Sequence, residues 1–369
     1  MGILQFGYEN VIKPYLFRKD AEDAHDFTFK LLKTISENSW MQKMMSTIIS
    51  APTNKILEQQ LFGMTFAHPV GLAAGLDKNA VAVPVWASLG FGFLEVGTVT
   101  PVGQAGNDKP RLFRLPMDQA LINRMGFNNA GSEAMLGRLQ AFGKSSIPLA
   151  VNIGKNKSTP NEQALEDYMK CMSVLYDVAD FFVVNISSPN TPNLRELQKS
   201  DELDQLLSGL CNHRKVLAST RGASVKPMLV KLAPDMTPED LEVSIYTMRR
   251  HPVDGVIATN TTLSRDGLQD RHRGEMGGLS GKPLTMKSTE VIRSIYRMSE
   301  GKFPIIGVGG IFTADDAYAK IKAGASLVEL YSGLIYHGPT LASSISHELI
   351  QKLQQDGFEH ISQAIGVEG

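Results

Sequence analysis

Residues 304–333 read PIIGVGGIFTADDAYAKIKAGASLVELYSG. Two near-continuous apolar runs, Ile305–Val308 and Leu327–Tyr331, flank a helix-like stretch, and each ends in a glycine-bearing turn, Gly309-Gly310 and Ser332-Gly333. Apolar runs without polar alternation are the pattern of parallel strands covered on both faces. Outward from this stretch the pattern recurs at Val70–Ala74, Phe93–Val99, Leu149–Ile153, Phe181–Ile186, Met228–Leu232 and Gly255–Thr259. Eight β-α steps over roughly 300 residues favour an α/β fold of the (β/α)8 TIM-barrel type over a doubly wound open sheet. The gap after Val99 contains GQAGNDKPRLFRL (103–115) and NRMGFNNAG (123–131), too polar and glycine-rich for a connecting helix alone. Long insertions of this kind on a barrel are usually functional loops.

Composition narrows the function classes. The 369 residues carry 37 Lys+Arg against 38 Asp+Glu, a formal charge of -1, so no global attraction to nucleic acid is expected. With 43% hydrophobic and 20% charged residues the chain reads as a folded globular protein. Two cysteines, Cys171 and Cys211, make neither a disulfide framework nor a zinc cluster, and no metal is expected. The start MGILQFGYENVIKP lacks the basic and apolar regions of a secretory signal, and Phe6 stands where a myristoylation motif wants Ser or Thr. No apolar run reaches the roughly 18 residues of a spanning helix.

The first sixty residues read as helices. Tyr8, Val11, Ile12, Tyr15 and Leu16 recur at helical spacing; a second stripe, Ala24, Phe27, Thr28, Leu31, Leu32 and Ile35, follows a cap at Asp20. A third, Met41, Met44, Met45, Ile48 and Ile49, follows a cap at Ser39 and is rich in adaptable methionine. Such stripes either pack on a core or offer an apolar surface to a bilayer or a greasy ligand. The mixed charges around them do not support a polybasic attachment.

A barrel places its chemistry at the carboxyl ends of its strands. The tips here are Gly75-Leu76-Asp77-Lys78, Thr98-Val99-Thr100-Pro101, Asn152-Ile153-Gly154-Lys155, Asn185 to Thr191, Lys231, Thr259 to Thr262, Gly309-Gly310 and Tyr331-Ser332-Gly333. The glycine turns after the seventh and eighth strands suit a phosphate held by backbone N–H groups. Asn152, Asn185, Asn190 and Asn260 offer donors and acceptors for the edge of a planar heterocycle, and Lys231 offers a charge for an anionic ring. There is no Walker motif, no full GxGxxG after a strand, no HExxH and no C-x-x-C. A flavin mononucleotide barrel accounts for phosphate, asparagines and lysine together.

Ten segments in order then carry a specific resemblance: GLAAGLDKNA (71–80), EVGTVTPVGQAGNDKPRLFRL (95–115), INRMGFNNAG (122–131), VNIGKNK (151–157), NISSPNTPNLR (185–195), VKLAPD (230–235), DGVIATNTT (254–262), GGLSGKPL (277–284), PIIGVGGI (304–311) and LVELYSGLIYHGP (327–339). The chain resembles the dihydroorotate dehydrogenases, and within them the membrane-associated, quinone-dependent class 2 branch. The resemblance covers about residues 8 to 350. Ser188 stands where the soluble class 1 enzymes carry cysteine, and the helical extension belongs to the class 2 pattern.

The resemblance implies oxidation of dihydroorotate to orotate in pyrimidine synthesis, with FMN taking a hydride and a membrane quinone then taking the electrons. It implies Ser188 as general base, with Thr191 and Phe127 framing a proton path. Substrate would lie against Lys78, Asn123, Arg124, Met125, Gly126, Phe127, Asn185, Asn190, Asn260 and Thr261. FMN would lie against Ala74, Gly75, Leu76, Asp77, Lys78, Thr98, Asn152, Asn185, Lys231, Thr259, Gly281, Gly310, Tyr331 and Ser332. His25, Arg114 and Tyr331 would line the inner end of a quinone tunnel.

The expected organisation is an extension over 1–57, a barrel over 58–350 and a tail over 351–369. The expected state is a monomer in peripheral contact with the membrane, on the cytoplasmic face of the inner membrane if the source is bacterial. Two competing readings are a related FMN barrel with another acceptor, and a non-redox phosphate-binding lyase or isomerase barrel using Lys78 or Lys231 as a Schiff-base amine.

Overall fold

The computed structural model describes residues 2–369. Eight parallel strands close a barrel: Val70–Leu72, Phe93–Val99, Leu149–Ile153, Phe181–Asn185, Met228–Leu232, Gly255–Ala258, Ile305–Val308 and Leu327–Leu330. Each pairs with its neighbours in chain order, and the eighth closes on the first through the register Val328↔Val70. The TIM barrel expected from the eight apolar runs is therefore the observed fold. Four runs, those ending at Ala74, Ile186, Thr259 and Tyr331, stop one or two residues short as strands. Their last residues turn out of the ladder to form the rim; Tyr331, for instance, is the residue before the helix Ser332–His337.

Every residue of these strands is buried, because a helix covers the outside at each step. Local chemistry ends those helices cleanly. In Pro238–Arg250 the Thr237 hydroxyl accepts from the Asp240 N–H, Pro238 occupies the first turn, and Arg249 and Arg250 face the negative end of the helix dipole. The amino ends of the strands are plugged by a hairpin, Gln59–Leu61 with Met64–Phe66. Phe66 lies edge-on to Phe93 at 5.5 Å and Phe62 tilts over Phe181 at 5.9 Å. Full burial of a phenylalanine such as Phe66 stabilises by about 1.5–3 kcal/mol.

The carboxyl ends are covered differently. The insertion after the second strand contributes Leu112–Leu115 and Ala120–Asn123 to a three-stranded antiparallel sheet. Its third strand, Gly278–Gly281, comes from the segment after the sixth barrel strand. A second small sheet pairs Val102–Gln104 with Asn129–Gly131. The long insertion thus joins a roof built from two distant segments, with an apolar cluster of Phe113, Leu115, Ile122 and Leu279 between its strands.

The amino-terminal residues form Ile3–Gly7, a π-helical turn Tyr8–Ile12, and the helices Lys13–Phe17, Ala21–Ser36 and Ser39–Ile48. Asp20 caps the longest, accepting from the N–H groups of Glu22 and Asp23 at 2.8 and 3.3 Å. The next helix is capped by Asn38 rather than Ser39: Asn38 has the extended backbone a cap needs, its side chain accepts from the Met41 N–H at 3.1 Å, and Ser39 is already helical. A buried ion pair, Glu22 with Arg111 at 2.8 Å, ties the extension to the roof. Outward, Phe6, Val11, Tyr15, Leu31, Trp40 and Ile48 are exposed. Among the described residues no helix is long and apolar enough to cross a membrane. Residue 350 falls inside the helix Leu341–Gln355, and the segment beyond it packs back on the barrel, with the Ile361 N–H donating to Ile56 O at 2.8 Å.

Candidate active site

One pocket opens at the carboxyl ends of the strands, between the rim and the roof. One end of it is lined by glycines whose surroundings leave no room for a side chain. At Gly310, with φ +69°, an added Cβ would lie 2.2 Å from the Thr285 hydroxyl; at Gly281, with φ +106°, it would lie 2.4 Å from Gln119 O. These turns bring bare backbone to the pocket, as anion cradles do. Across the mouth the hydroxyls of Ser280, from the roof, and Ser332, from the rim, sit 2.9 Å apart.

Deeper in, the strand-end amides hold one another in fixed orientations. Thr98 Oγ1 donates to Asn152 Oδ1 at 2.5 Å, Asn185 Nδ2 donates to Thr98 Oγ1 at 2.8 Å, and Asn260 Nδ2 donates to Ser187 Oγ at 3.0 Å. Asn152 Nδ2 donates in turn to Glu95 Oε1 at 2.7 Å. Lys231 Nζ lies 2.6 Å from Glu95 and 3.8 Å from Glu329. Burial opposes the charge of Lys231, but the attraction of its carboxyl neighbours, Glu95 foremost, outweighs it and holds the ammonium above its ordinary value. Burial first, then the Glu95 charge, push the Glu329 carboxyl well above the usual carboxylate range, against the pull of Lys231.

On the other side of the pocket the loop after the fourth strand brings Ser188 and Asn190 to the cavity. The Asn190 N–H donates to Ser188 Oγ at 3.3 Å, and Asn190 Nδ2 donates to Asn123 Oδ1 at 3.3 Å, joining loop to roof. Arg195 staples the loop in place, donating to Ser187 O and Thr261 O at 3.1 Å each and pairing with Asp235. The Thr191 hydroxyl is buried beside the loop with no hydrogen-bond partner. A small polar recess of that kind suits a bound water. Phe127, held at φ +53°, lines the pocket opposite.

Lys78 and Met125 line this pocket and also a neighbouring cavity with Glu22, His25, Asp26 and Phe29. Burial lowers the Lys78 ammonium to about 8, with Glu22 acting in the opposite sense. His25 stacks on Phe29 at 4.3 Å and shares a hydrogen bond with Leu76 O at 3.1 Å. Burial, then the charge of Lys78, hold its imidazole below its ordinary value.

Most of the sequence-predicted residues converge on the main pocket: Ala74, Gly75, Lys78, Thr98, Asn123, Met125, Gly126, Phe127, Asn185, Ser188, Asn190, Lys231, Thr259, Asn260, Thr261, Gly281, Gly310, Tyr331 and Ser332. Leu76, Asp77, Arg124, Asn152 and Thr191 do not line it. Asp77 is buried under the first rim loop, accepting from the N–H groups of Val81 and Ala82 and from Trp86 Nε1. Arg124 turns outward to Glu275 at 2.7 Å. Of the three residues expected at the quinone, His25 lines the neighbouring cavity and Tyr331 the main one. Arg114 lies over the Phe17 ring and donates to Leu16 O and Lys19 O. Glu95, Glu329, Ser280 and Leu284 escaped the sequence reading. The signal for the two glutamates was present, a lone charge inside each of the apolar strands FLEVGTV and LVEL.

Comparison with known proteins agrees with this geometry. The family model described as dihydroorotate dehydrogenase matches residues 56–353. A protein of Deinococcus deserti named dihydroorotate dehydrogenase (quinone) is 55% identical over 362 residues, covering 98% of this chain and 99% of its own. One of Deinococcus radiodurans with the same name is 50% identical over 369 residues, covering 96% and 98%. The crystal structure of DHODH from Eimeria tenella in complex with ferulenol is similar with a TM-score of 0.84 at 38% identity, covering 94% of this chain and 95% of that one.

Proposed function

The chain belongs to the dihydroorotate dehydrogenase family, and from that premise we propose how its pocket performs the reaction. It oxidises dihydroorotate to orotate in pyrimidine biosynthesis and passes the electrons to a quinone. The observation that carries the mechanistic reading is the convergence in one pocket of a glycine cradle, an interlocked amide cluster, Lys231 and Ser188.

FMN fits these residues. Gly281, Gly310 and Ser332 suit its phosphate, since a side chain at either glycine would collide with the turn behind it. Ala74, Gly75, Thr98, Asn185, Lys231, Thr259 and Tyr331 would hold the ring, with Asn152 behind them fixing Thr98 and with Leu76 and Asp77 shaping the loop. Bound there, FMN supplies the hydride acceptor.

The chain's own residues do the rest. Lys78, Asn123, Asn190, Asn260 and Thr261, with the backbone from Arg124 to Phe127, bind and orient the pyrimidine and its carboxylate. Ser188 Oγ takes the proton from the substrate ring carbon. Serine is a weak base in water, so its proton must move on; Thr191 and Phe127 bound the recess that would hold a relaying water. Lys231 stabilises negative charge gained by the pocket's occupant. The exposed apolar face of residues 1–57 lies on a membrane surface, and His25, Arg114 and Tyr331 mark the side from which quinone approaches.

The test is colour. Purified protein should be yellow, bleach on anaerobic addition of dihydroorotate, and recover its colour with quinone but not with NAD or fumarate. A colourless protein, or one whose colour dihydroorotate leaves unchanged, overturns the reading.

A further inference from the structure

The barrel floor contains an arrangement that Lys231 alone does not explain. Lys231, Glu95 and Glu329 come from the fifth, second and eighth strands and are all buried, Glu95 completely. Glu95 has the partners of an ionised carboxylate: Lys231 Nζ at 2.6 Å, the Ala74 N–H at 2.9 Å and Asn152 Nδ2 at 2.7 Å. Glu329 does not: no donor comes within hydrogen-bonding distance of either buried oxygen, Lys231 Nζ is 3.8 Å away, and the residue lines the pocket. The charged groups that bear on it are Glu95 and Lys231.

We propose that Glu329 is a positioning residue, a neutral carboxylic acid in the pocket floor that donates a hydrogen bond to the occupant and leaves Lys231 with one counter-charge instead of two. Two ionised carboxylates around one ammonium would leave a buried net negative charge facing the pocket, and two carboxylates that share a site do not both ionise. With Glu329 neutral the cluster is balanced, and the attraction of Lys231 reaches the pocket. A protonated carboxyl has one O–H to give, and Glu329 lines the pocket, where an occupant can accept it. The direction of the Glu329 shift, upward under burial and the Glu95 charge, agrees.

The hydrogen bond to the occupant rests on the FMN reading, whereas the protonation does not, and the experiment separates them. Infrared spectra of the apoprotein at pH 7 should contain a buried carboxylic-acid carbonyl band that shifts in D2O and is missing from Glu329→Gln. Only ionised carboxylate bands would overturn the proposal. The same band should move on addition of FMN, a readout that needs no variant to fold. In titrations of apoprotein with FMN, Glu329→Leu should bind about two- to tenfold more weakly, the worth of one hydrogen bond, and Glu329→Gln should recover most of that loss. Equal binding by the leucine variant, or a band that FMN leaves in place, removes the hydrogen bond to the occupant. Apoprotein that takes up no FMN at all overturns the cofactor reading, while the band still decides the protonation.

Discussion

The polar end of the barrel and the helical extension solve opposite problems with neighbouring stretches of chain. In the pocket, polar groups are withdrawn from water and satisfy one another: Asn152, Asn185 and Thr98 are nearly or fully buried and interlocked by hydrogen bonds. In the extension, apolar groups face out, with Trp40 69% and Val11 68% exposed. Buried polar clusters fix geometry because every orientation but one leaves a donor or acceptor unpaired. Exposed apolar surface fixes nothing by itself and signals a partner. A protein that must move electrons from a water-soluble acid to a quinone needs one region of each kind.

The strongest way to break this division is at Ser188. Ser188→Ala should keep FMN and still bind vesicles, yet bleach with dihydroorotate about 10²–10⁴-fold more slowly, the usual loss of a general base. Stopped-flow bleaching at the wild-type rate would take Ser188 out of the mechanism. The next effect concerns the tie between the regions. Glu22→Ala leaves the Arg111 guanidinium, 8% exposed, without its carboxylate. Breaking a buried pair from one side costs about 3 kcal/mol or more, so urea unfolding should show a loss of that size. An unchanged midpoint would mean that the extension is not anchored through this pair.

A smaller effect follows from pH. Burial lowers Lys78 to about 8, so the lysine is cationic below that pH and loses its proton as pH rises through it. If its charge holds the substrate carboxylate, the KM for dihydroorotate should climb above about pH 8, approaching tenfold per pH unit. Lys78→Arg should move the rise to higher pH, since guanidinium stays charged. A KM flat from pH 7 to 10 would assign Lys78 a structural role.

The two regions also differ in how much of them the sequence revealed. Barrel strands are legible because each is a short apolar run ending in a polar turn, and a strand tip is both the end of a pattern and the place of the chemistry. Lys78, Asn185, Asn260 and Gly310 stand at or just beyond such tips and line the pocket. The roof was not legible as a sheet, because Ala120–Asn123 pairs with Gly278–Gly281 from far along the chain and neither segment alternates clearly. Glu95 and Glu329 are not legible because a charge in an apolar run reads as an interruption until the barrel's closure turns it inward to meet Lys231. In the extension, helical periodicity predicted the helices but not their partners. The stripes fit either a core or a bilayer, and only the exposure of Leu31 and Trp40 beside buried Leu32 and Ile35 separates the two faces.

The most direct measurement of the division is anaerobic double mixing with Leu31→Glu/Trp40→Glu, which alters only the outer helical face. Dihydroorotate should bleach this variant within about twofold of the wild-type rate, as expected for surface substitutions far from a site. Recovery of colour with a long-tailed quinone in vesicles should slow by about tenfold or more, because the apolar contact with the bilayer is lost. Bleaching that slows together with recovery, or recovery at the wild-type rate, would contradict the assignment of dihydroorotate chemistry to the barrel and quinone access to the helices.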